Sequence, residues 1–74
     1  MNKMTRWFTS TDKELLLKVT KYFSEDDYMF NDVKQRRFDG RYYTWARINK
    51  VQFNKIKEHF NLIREYRNNY MVIS

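Results

Sequence analysis

The sequence predicts an α+β fold, a small antiparallel sheet in the order β-α-β-β-α with two or three helices packed on one of its faces. Apolar residues recur at helical spacing in two segments, and each segment begins with a capping signal. Between them, an Asp-Gly pair is flanked by residues typical of strands. With 74 residues, the chain has room for one basic domain, residues 1–74, whose core relies on aromatic side chains because cysteine is absent.

A short strand and a first helix are predicted at the start of the chain. Residues 6–9, "RWFT", are aromatic and end in threonine, which favours a strand. Thr11 and Glu14 have the spacing of a capping box, so we expect the helix to begin there and to end near Ser24. The apolar stripe of this helix consists of Leu15, Leu16, Val19, Tyr22 and Phe23.

Residues 28–48 predict a hairpin of two strands. Asp39 and Gly40 are the pair typical of a two-residue type I′ turn, which would place Lys34 opposite Trp45 and Arg36 opposite Tyr43. Because side chains alternate along a strand, the hairpin has two faces. The face expected to pack on the helices carries Val33, Gln35, Arg37, Tyr42, Thr44, Ala46 and Ile48. The other face carries Asp32, Lys34, Arg36, Phe38, Arg41, Tyr43, Trp45 and Arg47.

A second capping box, formed by Asn49 and Gln52, predicts the start of the second helix. Its apolar stripe is Phe53, Ile56, Phe60 and Ile63. Helical spacing continues to Tyr70, which predicts either one bent helix or two. We expect residues 71–74 to be a frayed tail or an interface segment.

The sequence predicts no metal, no cofactor and no enzymatic activity. The acidic run Glu25-Asp26-Asp27 lacks the alternating oxygen ligands and the glycine of a calcium loop, and we interpret it as a solvated loop. One histidine without cysteine is too little for a zinc site, and the single glycine excludes a glycine-rich phosphate loop. His59 has no serine or cysteine nucleophile motif beside it, which favours a structural role.

The positive charge is concentrated in the second half of the chain. Residues 1–33 hold five Lys/Arg and six Asp/Glu, whereas residues 34–74 hold ten and three, a net charge of +7. This imbalance favours a polyanionic partner, above all nucleic acid. The predicted contacts on the hairpin are Lys34, Arg36, Arg41, Tyr43, Trp45 and Arg47. The second helix would add positive field through Lys50, Lys55 and Lys57.

RNA and single-stranded DNA suit such exposed aromatics better than base-specific reading of a duplex. Three other interpretations stay open: a solvated structural face, an inhibitor or adaptor that binds an acidic surface of a host protein, and a structural subunit. For a protein interface, the predicted anchors are Trp7, Trp45 and Tyr66. The abundance of Asn, Lys, Tyr, Phe and Ile is typical of AT-rich coding and fits a phage-encoded regulator. No apolar run is long enough for a membrane span, so we expect a cytoplasmic protein, with self-association extending its site.

Several segments, in order, resemble the later part of a LAGLIDADG homing-endonuclease repeat: "WFTST", "DKELLLKVTKYF", "RYYTWARI", "NKVQFNKIKEHF" and a tyrosine-rich last helix. The similarity spans most of the chain, from Met4 to Tyr70. In that family the sheet lies on DNA, which implies contacts here at Lys34, Arg36, Arg41, Tyr43 and Arg47. The signature helix with its metal-binding carboxylate is missing, so the resemblance implies a nucleic-acid-binding remnant and no cleavage.

Overall fold

The computed structural model describes residues 3–24, 28–59, 63–67 and 69–73. Its elements are β1 (Met4–Ser10), α1 (Lys13–Tyr22), β2 (Lys34–Gln35), β3 (Tyr42–Ile48), α2 (Lys50–His59), β4 (Ile63–Arg67) and β5 (Tyr70–Ile73). The strands form one five-stranded sheet in the order β2-β3-β1-β5-β4. The α+β class is therefore confirmed, but the sheet is mixed, because β1 and β5 run parallel.

Both helices pack on the same face of this sheet. From the helices, Leu16 and Val19 of α1 and Phe53 and Ile56 of α2 enter the core. From the sheet come alternate residues of the three central strands: Phe8, Ala46, Ile48, Met71 and Ile73. The ring of Phe8 lies edge-on to that of Phe53 at 5.5 Å, which joins the middle strand directly to α2. The neighbouring residues of these strands consequently point to the other side.

Asp12 caps α1, and the prediction that Thr11 caps it is wrong. The Asp12 Oδ1 accepts a hydrogen bond from the Leu15 amide at 3.2 Å, while the Ser10 hydroxyl oxygen accepts from the Asp12 amide at 3.0 Å. Aspartate is a better N-cap than threonine, which accounts for the shift by one residue. The helix ends at Tyr22, slightly before the predicted end near Ser24.

The capping box of α2 is confirmed. The Asn49 amide donates to Gln52 Oε1 and the Gln52 amide donates to Asn49 Oδ1, both at 2.9 Å. Two amides that the helix itself cannot pair are satisfied in this way. The start of α2 is thus set by local sequence alone.

Replacing the cap should lower the stability of the whole domain. We expect Asn49→Ala to reduce the free energy of unfolding by about 1 kcal/mol, because the Gln52 amide loses its acceptor. Urea denaturation followed by circular dichroism measures the change. Lys50→Ala is the matched control, since Lys50 is the exposed first residue of the same helix. Equal losses in the two variants would contradict a capping role.

The described residues from Ile63 onwards form strands, and the helix predicted for this part of the chain is wrong. β4 and β5 make an antiparallel hairpin, with β5 inserted between β4 and β1. Met71 and Ile73 are fully buried, so the predicted tail is part of the core. Pairing with β1 overrides the helical spacing of this segment. The acidic run at residues 25–27, Phe60 of the predicted stripe and Ser74 lie outside the described residues.

The predicted hairpin forms with a shorter first strand and a different turn. β2 has two residues, and Lys34 pairs with Tyr43 rather than with Trp45. Six residues, 36–41, connect the strands, and Gly40 takes a positive φ of 71°, whereas Asp39 does not. A type I′ turn needs positive φ at both central positions and is therefore excluded. The register differs from the prediction by two residues, an even number, so the side chains of β2 and β3 stay on their predicted faces.

Candidate nucleic-acid interface

One face of the sheet is covered by neither described helix, and we call it the open face. It consists of Thr5, Trp7 and Thr9 of β1, Tyr43, Trp45 and Arg47 of β3, and Tyr70 and Val72 of β5. Its aromatic residues belong to three adjacent strands. The face is thus an aromatic surface at the middle of the sheet.

The aromatic side chains of the open face lie next to one another. Register aligns Trp45, Trp7 and Tyr70 in one row across β3, β1 and β5. The Trp7 ring lies 6.1 Å from those of Trp45 and Tyr43, measured between centroids, and is tilted against both. Trp7 is 39% exposed although it occupies the central strand. An exposed tryptophan at the middle of a sheet leaves a large apolar surface in water, which is typical of a binding site.

Cationic side chains surround this aromatic surface. Lys34 is exposed beside Tyr43, and Arg47 is exposed opposite Thr5. Arg67 is exposed at the other end of the row, where it pairs in register with Tyr70. The predicted contacts Lys34, Tyr43, Trp45 and Arg47 are therefore brought together by the fold.

Arg41 lies over the end of β1 rather than at the outer edge of the hairpin. Its Nε donates to the Thr9 hydroxyl oxygen at 3.3 Å, and that hydroxyl donates to the Tyr42 carbonyl oxygen at 2.8 Å. The chain of two bonds holds a guanidinium beside the open face. Because the group is already positioned, less side-chain entropy is lost when an anion binds there.

Arg36 is held by a carboxylate of its own loop. Its Nη2 lies 2.7 Å from Asp39 Oδ2 and its Nε donates to Asp39 Oδ1 at 3.3 Å. Slight desolvation acts to raise the pKa of Asp39, but hydrogen bonds from the Arg41 amide and from Arg36 outweigh it and lower the pKa. Since the pKa of Asp39 in the folded protein lies below its ordinary value, the Arg36–Asp39 pair stabilises the loop fully at any pH above that ordinary value. The contribution is lost as pH falls through the lowered pKa.

Asp39 thus neutralises one of the cations of the site. We expect Asp39→Asn to raise the affinity for single-stranded nucleic acid and to steepen its dependence on log salt concentration by about 0.7, the value for one added phosphate contact. Asparagine keeps an oxygen that accepts from the Arg41 amide, so the loop is preserved. Anisotropy titrations at four salt concentrations measure both quantities. Glu14→Gln makes the same charge change on α1, and an equal steepening there would contradict the effect.

The lysines predicted to extend the site are placed elsewhere. Lys50, Lys55 and Lys57 are all exposed on α2. That helix packs on the face of the sheet opposite the open face, so these lysines do not join the aromatic surface. Their charge adds to the general field of the molecule. The α2 lysines follow the hairpin closely in the sequence, but they lie on the other side of the sheet.

The sequence does not predict that Trp7 and Tyr70 share one surface with the hairpin. It predicts Trp7 as an anchor for a protein partner and Tyr70 as part of a helix. Arg67, which borders the open face, is likewise predicted on a helix rather than beside Tyr70. The polarity of "TRWFTS" does not indicate which face carries Trp7, because Arg6 before it is charged and Phe8 after it is apolar. The position of Tyr70 depends on the parallel pairing of β5 with β1, which no local pattern indicates.

His59 makes packing contacts. Its ring stacks on Tyr22 with 4.2 Å between centroids and meets the edge of Phe23 at 5.8 Å. Within the described ranges, no group of three or more His, Cys, Asp or Glu side chains is suited to a metal ion. Neither described helix is long and apolar enough to cross a membrane. The lack of catalytic activity stays a prediction.

No family model, curated protein or solved structure matches the chain. The resemblance to LAGLIDADG homing endonucleases therefore stays a prediction. We base the function below on the geometry of the open face.

Proposed function

We propose that this protein binds single-stranded RNA or DNA on its open face without catalysing a reaction. The observation that carries this proposal is the row of Trp45, Trp7 and Tyr70, which lies across three strands with no described helix over it. Aromatic side chains on an open sheet stack on unpaired bases, and each stacked base contributes roughly 1–3 kcal/mol. A duplex hides the flat faces of its bases inside the stack, so a single strand suits this surface better.

The charges around the row favour the same partner. Among the side chains that the structure describes, five cations and two carboxylates lie on or beside the open face. They are Lys34, Arg36, Arg41, Arg47 and Arg67, with Asp32 and Asp39. The excess of positive charge would replace counterions along a phosphate backbone. A single-stranded nucleic acid, which is a polyanion with exposed bases, matches both the aromatic row and the positive charge of the open face.

The biological role follows as the finer part of the proposal. A small basic protein without catalytic machinery suits a regulator that occupies a transcript or an exposed DNA strand, and the composition fits a phage origin. Such a protein would act in the cytoplasm, that of the host if it is viral. If kinship with LAGLIDADG homing endonucleases is real, the open face would be the remnant of their DNA-binding sheet.

Anisotropy titrations test the proposal. Labelled single-stranded RNA, single-stranded DNA and duplex DNA of equal length are titrated with the protein at several salt concentrations. We expect both single strands to bind more tightly than the duplex. With three to five phosphate contacts, the slope of log affinity against log salt should be about −2 to −3.5. Failure of all three ligands to bind at low salt would refute the proposal, and the preference between RNA and DNA would define the natural target.

A protein-binding adaptor is the second candidate, and one observation favours it. An open groove of about 510 Å³ runs between α1 and residues 28–33, and it includes Leu17 and Met29, which are 37% and 76% exposed. The groove meets the open face at Asp32, which lines both, whereas Leu17 belongs to α1 on the other side of the sheet. If no nucleic acid binds, Met29→Asp should abolish capture of a host protein, whereas Trp7→Ala should leave it unchanged.

A further inference from the structure

The open face has a depression beside its tryptophan row. It has a volume of about 210 Å³ and is lined by Trp7, Phe8, Thr9, Arg36, Tyr43 and Tyr70. The planes of Trp7 and Tyr43 are inclined by 43°, so the two rings form walls rather than a flat floor. A second, smaller depression of about 110 Å³ lies on the other side of Tyr43, where Lys34 and Asp32 are among its lining residues. Tyr43 therefore separates an aromatic recess from a charged one.

Resting on the proposed function, we propose that the larger depression is a subsite for one unstacked nucleobase and that it prefers guanine to adenine. Three aromatic side chains provide apolar walls for a planar ring. The one charged side chain among its described lining residues is Arg36. A base that enters the depression must therefore present its edge to a guanidinium.

The chemistry of the guanidinium selects between the two purines. Guanine offers two neighbouring acceptors, O6 and N7, which a guanidinium can bind together. Adenine offers N7 beside an amino group. That amino group is a donor, so it cannot accept a second N–H of the guanidinium. Both purines expose similar stacking surfaces, so the aromatic walls contribute about equally to each. The difference in affinity between guanine and adenine consequently measures the contribution of Arg36.

Asp39 orients the Arg36 guanidinium for hydrogen bonding to the base. Two hydrogen bonds to the carboxylate fix the plane of the guanidinium and use two of its five N–H donors. The Arg36 guanidinium carbon also lies 5.0 Å from the centroid of the Phe38 ring, a second contact that limits its motion. Because the group is held in advance, it loses little freedom when a base binds. Asp39 acts here as a positioning residue and lies outside the residues that line the depression.

The test uses two ligands that differ in one base. Labelled ten-nucleotide oligouridylates carry a single central guanine or a single central adenine, and both are titrated with the intact protein and with Arg36→Lys. We expect the guanine ligand to bind at least about fivefold more tightly than the adenine ligand. Arg36→Lys keeps the charge and removes the planar fork, so the affinity for the guanine ligand should fall towards that for the adenine ligand and the ratio should drop below about twofold.

The outcomes separate the two levels of the proposal. Equal binding of the two ligands to the unmodified protein, or an unchanged ratio in Arg36→Lys, would overturn the guanine subsite while leaving single-strand binding intact. Absence of binding by both ligands, and by oligodeoxythymidylates that carry the same central bases, would overturn the proposed function itself. The comparison of the two ligands on the unmodified protein needs no variant, so it does not depend on how a mutant folds.

Discussion

Trp7→Ala is expected to weaken binding of single-stranded nucleic acid by roughly 5- to 150-fold, the equivalent of about 1–3 kcal/mol for one lost stacked base. Trp7 stands at the centre of the row, with Trp45 on one side and Tyr70 on the other. Its ring also forms part of the wall of the larger depression. Removing it therefore interrupts the row and opens the depression at the same time, which makes this the largest single effect on binding.

Tyr22→Ala is the control for this variant. Tyr22 is an aromatic residue that is 60% exposed, but it belongs to α1, which packs on the opposite side of the sheet. Affinity for labelled single strands should be unchanged in this control, and thermal denaturation of Trp7→Ala should show that the fold is retained. Equal losses of affinity in both variants would indicate that exposed aromatics act without regard to position. Unchanged affinity in Trp7→Ala would place the binding site elsewhere.

Phe8→Ala should have the largest effect on stability, with a loss of about 3–5 kcal/mol. Phe8 is fully buried and its ring meets the edges of Phe30 and Phe53 at 5.3 and 5.5 Å. The substitution removes one contact between the central strand and α2 and leaves a cavity. A chain of this length has a total stability of roughly 4–11 kcal/mol, so the loss amounts to between about a quarter and all of it.

Calorimetry or circular dichroism during heating measures this effect. The melting temperature of Phe8→Ala should fall by more than about 12 °C, because a small domain loses about 4–8 °C for each kcal/mol. Phe8→Leu fills more of the cavity and should cost less than half as much. A melting temperature for Phe8→Ala within about 4 °C of the original would mean that the core does not depend on this ring.

Local signals in the sequence located the elements from β1 to α2. The capping box of Asn49 and Gln52 forms as predicted, since both partners lie within one helical turn. The two faces of the hairpin are also correct, although its register is not. Alternation along a strand is a local property that survives a shift of two residues. Lys34, Tyr43, Trp45 and Arg47 were assigned to the right side of the sheet for this reason.

Features that depend on distant contacts could not be predicted. Helical spacing in the sequence continues to Tyr70, yet residues 63–67 and 70–73 form strands, and β5 pairs with β1. The Trp7 amide donates to the Asn69 carbonyl oxygen at 2.8 Å, a contact across almost the whole chain. Tyr70 and Arg67 enter the site only through this pairing. The placement of α2 lysines behind the sheet is likewise a property of the tertiary fold.

The position of β5 also bears on how fast the sheet forms. β5 lies inside the sheet next to β1, although most of the described chain separates the two strands. Trp7 and Tyr70, which are 63 positions apart, become neighbours only when β5 pairs with β1. Contacts of such long sequence separation form slowly, because a large loop must close first. We therefore expect the aromatic row of the open face to be completed late in folding, after the local hairpin of β2 and β3.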